Sequence, residues 1–384
     1  MSGVSASAAP LSRAIPATNV TARRKGLRLL LLVLGAAALI AGLCGGLWRL
    51  GWTMPHGSSL AAIHGPLMIS GLFGTLISLE RAVALGRRWS YAAPTLSGLG
   101  TVALLLGPSP ALGAGLYVLA SAILAGTSLA ITIQQPAVFT GALLFGALAW
   151  LCGNVLWLIG NPIPDVAGWW LAFLILTIAG ERLELSRLAA PKRGSEVMFL
   201  FVIGLLIAGA QNGLMTHNGA VIEGLALLLV TTWLLRHDIA SRNLRRQGQT
   251  RFSAACMMSG YMWLGLSGVA LLAAPDAAVS HTYDFVLHAI LIGFALSMVF
   301  GHALVILPAV TGIRATYRPA LYAPLVLLHA SLTMRGIGDL LAWDAVRRWS
   351  GILTILALAV FSLTVGLNVK RRKAGVEHHP ISPS

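Results

Sequence analysis

The chain has 384 residues, 57% of them hydrophobic and only 10% charged, with a mean hydropathy of +0.81, which excludes a water-soluble globule and marks a polytopic membrane protein. The formal net charge of +15 comes without an aromatic-interleaved basic platform, so it reads as membrane topology and attraction to anionic inner-leaflet lipid rather than nucleic-acid binding. Cys44, Cys152 and Cys256 fall inside apolar stretches with no CxxC spacing, which argues against disulfides and thiolate metal sites.

Residues 1–22 are rich in Ala, Ser, Thr and Pro and have no apolar period, so they are expected to be a disordered cytoplasmic tail. A single transmembrane domain is expected over 23–373. It holds twelve apolar spans near 27–47, 59–79, 91–108, 111–133, 137–160, 166–186, 196–214, 219–235, 253–274, 283–308, 319–340 and 348–369. The first span lacks a clear small-residue cleavage site and is read as retained rather than as a signal peptide. Residues 374–384 form a second polar tail. With the N-terminus inside, 23 of the 27 Lys and Arg lie on the inner side, as the positive-inside rule requires.

Ionisable groups at bilayer depth are costly and demand a partner or a function. His64 opens span two and His288 opens span ten. At about 1.5 Å of rise per residue both lie roughly 6 to 8 Å in from the same outer surface. Two imidazoles at one depth on different helices can ligate one haem iron. Met68, one turn below His64, is the alternative thioether ligand or simply filler.

Of the four outer basic residues, Arg335, Arg347 and Arg348 cluster between spans eleven and twelve. They either clamp the two propionates of such a haem, since Arg pairs carboxylates bidentately, or pair with Asp339 and Asp344 of the same loop. His302 follows His288 by 14 residues, about 21 Å along the axis and within about 40° of its direction. It serves a second cofactor or caps a polar cluster with Arg81 and Arg182. His329 lies at mid-depth of span eleven with no histidine at its level, and is either a further metal ligand or a hydrogen-bonded packing residue. His56, His217 and His281 fall in outer loops that would make a copper or zinc site only if those loops meet.

Spans two and six end in similar Glu–Arg steps, Glu80-Arg81 and Glu181-Arg182. These are either ordinary snorkelling anchors or charges paired between neighbouring helices. Glu223 and Glu181 with the arginines also leave open a secondary transporter without haem. Pro66 and Pro308 interrupt spans, but without a clear two-fold relation.

Several stretches resemble the NnrS family, polytopic bacterial membrane proteins of the nitric oxide response that carry haem and copper, and more remotely the catalytic subunit of haem-copper oxidases. The resemblance rests on His64-Gly65, Ile178-Ala-Gly-Glu-Arg182, Gly260-Tyr-Met-Trp-Leu-Gly265 and the stretch from His288 to Met298. It implies an all-α bundle like oxidase subunit I, in a bacterial inner membrane, with a low-spin haem between the second and tenth helices. It also implies outward propionates near Arg335, possible copper, and nitric oxide or a redox protein as partner. Spans six and seven lack the histidines that an oxidase uses for its second metal, which argues against oxygen reduction. A bis-histidine iron implies electron transfer or sensing before catalysis, because no coordination position stays open. A haem-dependent oxidoreductase is the alternative.

Overall fold

The computed structural model describes residues 17–107, 109–186, 193–275 and 281–369. Among these the chain is helical throughout, apart from connecting turns and one isolated antiparallel bridge between Ala315 and Val369. The long helices, in chain order, are α1 (Ala17–Arg49), α2 (His64–Leu85), α3 (Ala92–Leu106), α4 (Pro110–Gln134), α5 (Val138–Leu158) and α6 (Ile163–Ser186). They continue with α7 (Arg193–Asn212), α8 (His217–His237), α9 (Gly248–Ala273), α10 (His281–Thr311), α11 (Tyr322–Leu340) and α12 (Asp344–Leu367).

Eleven helices of the described chain are long and apolar enough to cross a membrane, one fewer than the twelve spans expected. The exception is α3, whose 15 residues extend about 22 Å at 1.5 Å per residue, short of the ~30 Å hydrocarbon core. The expected span 91–108 is shortened because Trp89–Tyr91 forms a separate 3-10 turn at its start and Gly107 leaves the helix in extended geometry. At the N-terminus, residues 17–22 of the expected tail are already helical as part of α1, whereas 1–16 and 374–384 lie outside the described residues.

Two apolar cores organise the bundle. One gathers α1 to α4 with α11 and α12, the other α7 and α8, and α5, α6, α9 and α10 contribute to both. Val166, Trp170 and Phe173 of α6 belong to the first, for example, and Leu171 and Ile175 to the second. Outward faces carry bare side chains such as Val33, Ile133, Met262 and Leu363, as lipid-facing helices should.

Polar groups sit where they tie helices together. Arg28 of α1 donates to the Tyr91 hydroxyl at 3.0 and 2.7 Å and to the Val310 carbonyl at 3.2 Å, fastening α1 to the feet of α3 and α10. At mid-bundle the Asn154 side chain accepts from Ser70 Oγ (2.8 Å) and Trp170 Nε1 (3.1 Å) and donates to the Tyr117 carbonyl (3.1 Å) and Ser121 Oγ (3.2 Å). Trp150 Nε1 donates to Ser70 Oγ, and Ser97 Oγ donates to the Ser70 carbonyl at 2.6 Å. That carbonyl belongs to a wide π-helical segment of α2, Leu67–Gly74, which begins three residues after His64. A second π-helical segment, Ala289–Leu296, follows His288 directly in α10. Such segments are rare and concentrate at functional sites. Each encloses a glycine at a tight crossing: a Cβ on Gly71 would lie 2.8 Å from that of Ala38, and one on Gly293 only 2.5 Å from Trp263 Cγ.

Candidate functional site

The sequence departs from regular helix just before the first histidine. A short helix, Gly57–Ala62, stops at Ile63, whose φ of −110° and ψ of 12° break the run. Pro66 then occupies the first turn of α2, where a missing N–H costs nothing. The break aims the His64 ring at α1, where Nδ1 meets the Gly42 carbonyl at 2.6 Å. Gly46, one turn further on, leaves space for the ring: a Cβ there would sit 3.1 Å from His64 Cε1. On α10 the His288 Nδ1 lies 2.7 Å from the Asp284 carbonyl, one turn back.

A carbonyl can only accept, so both Nδ1 atoms carry the proton and both Nε2 atoms present a bare lone pair. Neither Nε2 has a hydrogen-bond partner among the described residues. The two ring centroids are 6.5 Å apart with planes 20° from parallel. With a metal–imidazole bond of about 2.0–2.1 Å on each side, and a little over 1 Å from nitrogen to ring centre, two trans imidazoles have centroids about 6.4 Å apart. The pair therefore has the spacing of a bis-histidine iron site, and the second-shell carbonyls that orient such ligands.

Both rings border a cavity of about 870 Å³, inside the usual range for small-molecule and cofactor sites. One wall is apolar, with Met68, Phe73, Leu291, Leu296 and Leu358, and the end near the start of α10 carries Arg49, His281, Tyr283, Asp284, Arg335 and Arg347. The Tyr283 hydroxyl is buried there without a partner among the described residues. The apolar wall, the arginines at one end and the two imidazole lone pairs make a donor set that a haem with its propionates would fit.

The arginines expected at this end divide. Arg335 donates to Asp284 Oδ2 through Nε (2.9 Å) and Nη2 (2.6 Å). Arg347 donates to Asp339 at 2.5 Å and lies 3.5 Å from Asp344 and 3.8 Å from Asp284. Both expected pairings of the loop are thus present for Arg347, and both guanidiniums still line the cavity. Arg348 turns away, stacking over Trp52 at 5.0 Å from the ring centre and donating to the Gly51 carbonyl. Met68 also borders the cavity but packs against Gly42.

The deeper histidines sit elsewhere. His302 Nε2 is 2.8 Å from Arg182 and its Nδ1 is 2.7 Å from the Met298 carbonyl, while Arg81 pairs with Glu181. The two Glu–Arg steps therefore interlock α2, α6 and α10 at the end of the bundle away from the cavity. His329 accepts a 2.9 Å hydrogen bond from Trp263 Nε1. Of the outer-loop histidines only His281 borders the cavity. Among the described residues no group of three or more His, Cys, Asp or Glu is placed to hold a metal.

Asp284, Arg49 and Tyr283 were not among the expected site residues. The first had a usable signal, the Asp-x-x-x-His spacing that puts both side chains on one helix face. The second is the remaining outer arginine.

Residues 28–369 match the family described as Domain of unknown function (DUF8744). The chain belongs to that family. No curated protein matches it. The DUF8744 segment contains every residue of the cavity wall, from Leu43 to Leu358.

Proposed function

We propose that this DUF8744 protein binds one haem in the outer half of a bacterial inner membrane, with His64 of α2 and His288 of α10 as the two axial ligands. The observation that carries this reading is the pair of Nδ1-anchored rings, 6.5 Å between centroids, on the wall of an 870 Å³ cavity rimmed by arginines. When bound, haem supplies a one-electron iron couple. The chain's own residues do the rest. His64 and His288 would hold the iron through their Nε2 atoms, Phe73, Leu291 and Leu358 would exclude water, and Arg335, Arg347 and Arg49 would neutralise carboxylates at the rim. This favours electron transfer or sensing, within the nitric oxide response or redox handling that the NnrS resemblance implies.

In this reading α3 is a short third crossing of a twelve-helix bundle arranged like oxidase subunit I, with both termini inside. Its foot at Tyr91 is level with Arg28 near the inner end of α1, and its middle at Ser97 is level with Ser70, two turns below His64. His302, between Arg182 and the Met298 carbonyl, and His329, which accepts from Trp263, lie on α10 and α11 apart from the His64–His288 pair and have no role in this haem reading.

The test is haem content after purification. His64→Ala and His288→Ala each lose bound haem while still inserting in the membrane, and full occupancy in His288→Ala overturns the ligand assignment. A second reading, secondary transport, draws on Glu223, which is fully buried with neither carboxyl oxygen partnered among the described residues. It requires a colourless protein whose uptake fails in Glu223→Gln.

A further inference from the structure

The two candidate ligands are not equivalent in what stands behind them. His64 Nδ1 faces a neutral backbone carbonyl of another helix, and the hydrogen-bond partners of that ring end there. His288 Nδ1 faces the carbonyl of Asp284 at 2.7 Å and also the Oδ1 of the same residue at 3.4 Å. The other oxygen, Oδ2, is gripped by Arg335 at 2.6 and 2.9 Å, with Arg347 at 3.8 Å. Asp284 thus lies between an imidazole N–H on one side and two guanidiniums on the other. Arg347 is shared in turn with Asp339 and Asp344.

We propose that Asp284 is a positioning residue that sets the donor strength of His288, and through it the reduction potential of the iron held between His64 and His288, with Arg335 and Arg347 limiting its effect. The inference rests on the haem reading above. A carboxylate beside the Nδ1 proton pulls it outward and pushes electron density onto Nε2, which stabilises the oxidised over the reduced iron. Guanidiniums that draw on the same carboxylate weaken that pull. The asymmetry concentrates this control on one ligand, where the helix register makes it rigid: Asp284 and His288 are one turn apart on α10, and Arg335 reaches them from α11.

The experiment is a redox titration of the purified haem-loaded protein, with dithionite as reductant and ferricyanide as oxidant, alongside ferric electron paramagnetic resonance. Asp284→Asn raises the midpoint potential, shifting the reduction equilibrium about tenfold, which is 59 mV for a one-electron couple. Haem stoichiometry and the low-spin spectrum stay as in the wild type. Asp284→Glu, which keeps the carboxylate, recovers most of the shift. Arg347→Gln moves the potential the opposite way and also changes the spread of g values, because the ligand itself has become a stronger donor. Loss of one positive charge near the iron without that coupling would lower the potential and leave the g values alone.

If Asp284→Asn fails to retain haem, Arg347→Gln decides the matter by the same two readouts. A haem-loaded Asp284→Asn with unchanged potential, or an Arg347→Gln with unchanged g values, overturns the proposal. A wild-type protein that takes up no haem overturns the haem reading itself, and so stands apart from both.

Discussion

Replacing Gly46 with alanine tests the ligand geometry without touching a ligand. The added Cβ would lie 3.1 Å from His64 Cε1, 3.4 Å from Nδ1 and 3.8 Å from Nε2, whereas carbon atoms in good contact sit about 3.5–4.0 Å apart. The ring must therefore yield by roughly half an ångström. Its Nδ1 is held at 2.6 Å by the carbonyl of Gly42, one turn earlier on the same helix, so it cannot yield without weakening that bond or tilting Nε2 off the line to His288. Overpacking of this kind costs about 1–3 kcal/mol. Without haem the ring can rotate clear, so the cost falls on the loaded state and weakens binding roughly 5- to 150-fold. Titration of haem into the apoprotein in nanodiscs, followed at the Soret band, measures it. A dissociation constant within twofold of the wild type would refute the placement of His64 against α1.

Other substitutions separate the rim from the scaffold. Arg335→Ala weakens haem retention about tenfold or more, as expected for hydrogen bonds to a charged group of roughly 1.5–3 kcal/mol. Arg348→Ala leaves retention unchanged, since that guanidinium lies on Trp52; the ratio of the two off-rates checks both statements. Asn154→Ala removes four hydrogen bonds among α2, α4, α5 and α6. At about 0.6 kcal/mol for an average interhelical bond in a membrane and up to about 1.7, it lowers stability by about 2–4 kcal/mol in reversible detergent unfolding.

The histidine pair was legible because depth can be counted from the start of an apolar span, and two residues at one depth stand out against an apolar background. The division of the arginines was not. Arg347 and Arg348 look alike in sequence, but neighbours on a helix diverge by about 100°, and only the packing of α12 decides which one faces the cavity. The inner Glu–Arg steps were visible as an echo, yet their partners cross over, Arg81 to Glu181 and Arg182 to His302, which depends on how α2, α6 and α10 meet. The π-helical segments behind both histidines leave no mark in an apolar run, where only the glycines that pass close to Ala38, Thr101 and Trp263 hint at tight crossings. For α3, apolar content alone ran the span from 91 to 108, where backbone geometry at Tyr91 and Gly107 trims the helix to 92–106.

The reduced-minus-oxidised visible spectrum of the detergent-purified protein, with haem quantified on the same sample, bears most directly on the central claim. Sharp α and β bands at one haem per chain are expected from two imidazoles whose rings stand 6.5 Å apart and 20° from parallel. A colourless protein from a haem-replete host, or a high-spin spectrum with an open coordination position, would contradict it.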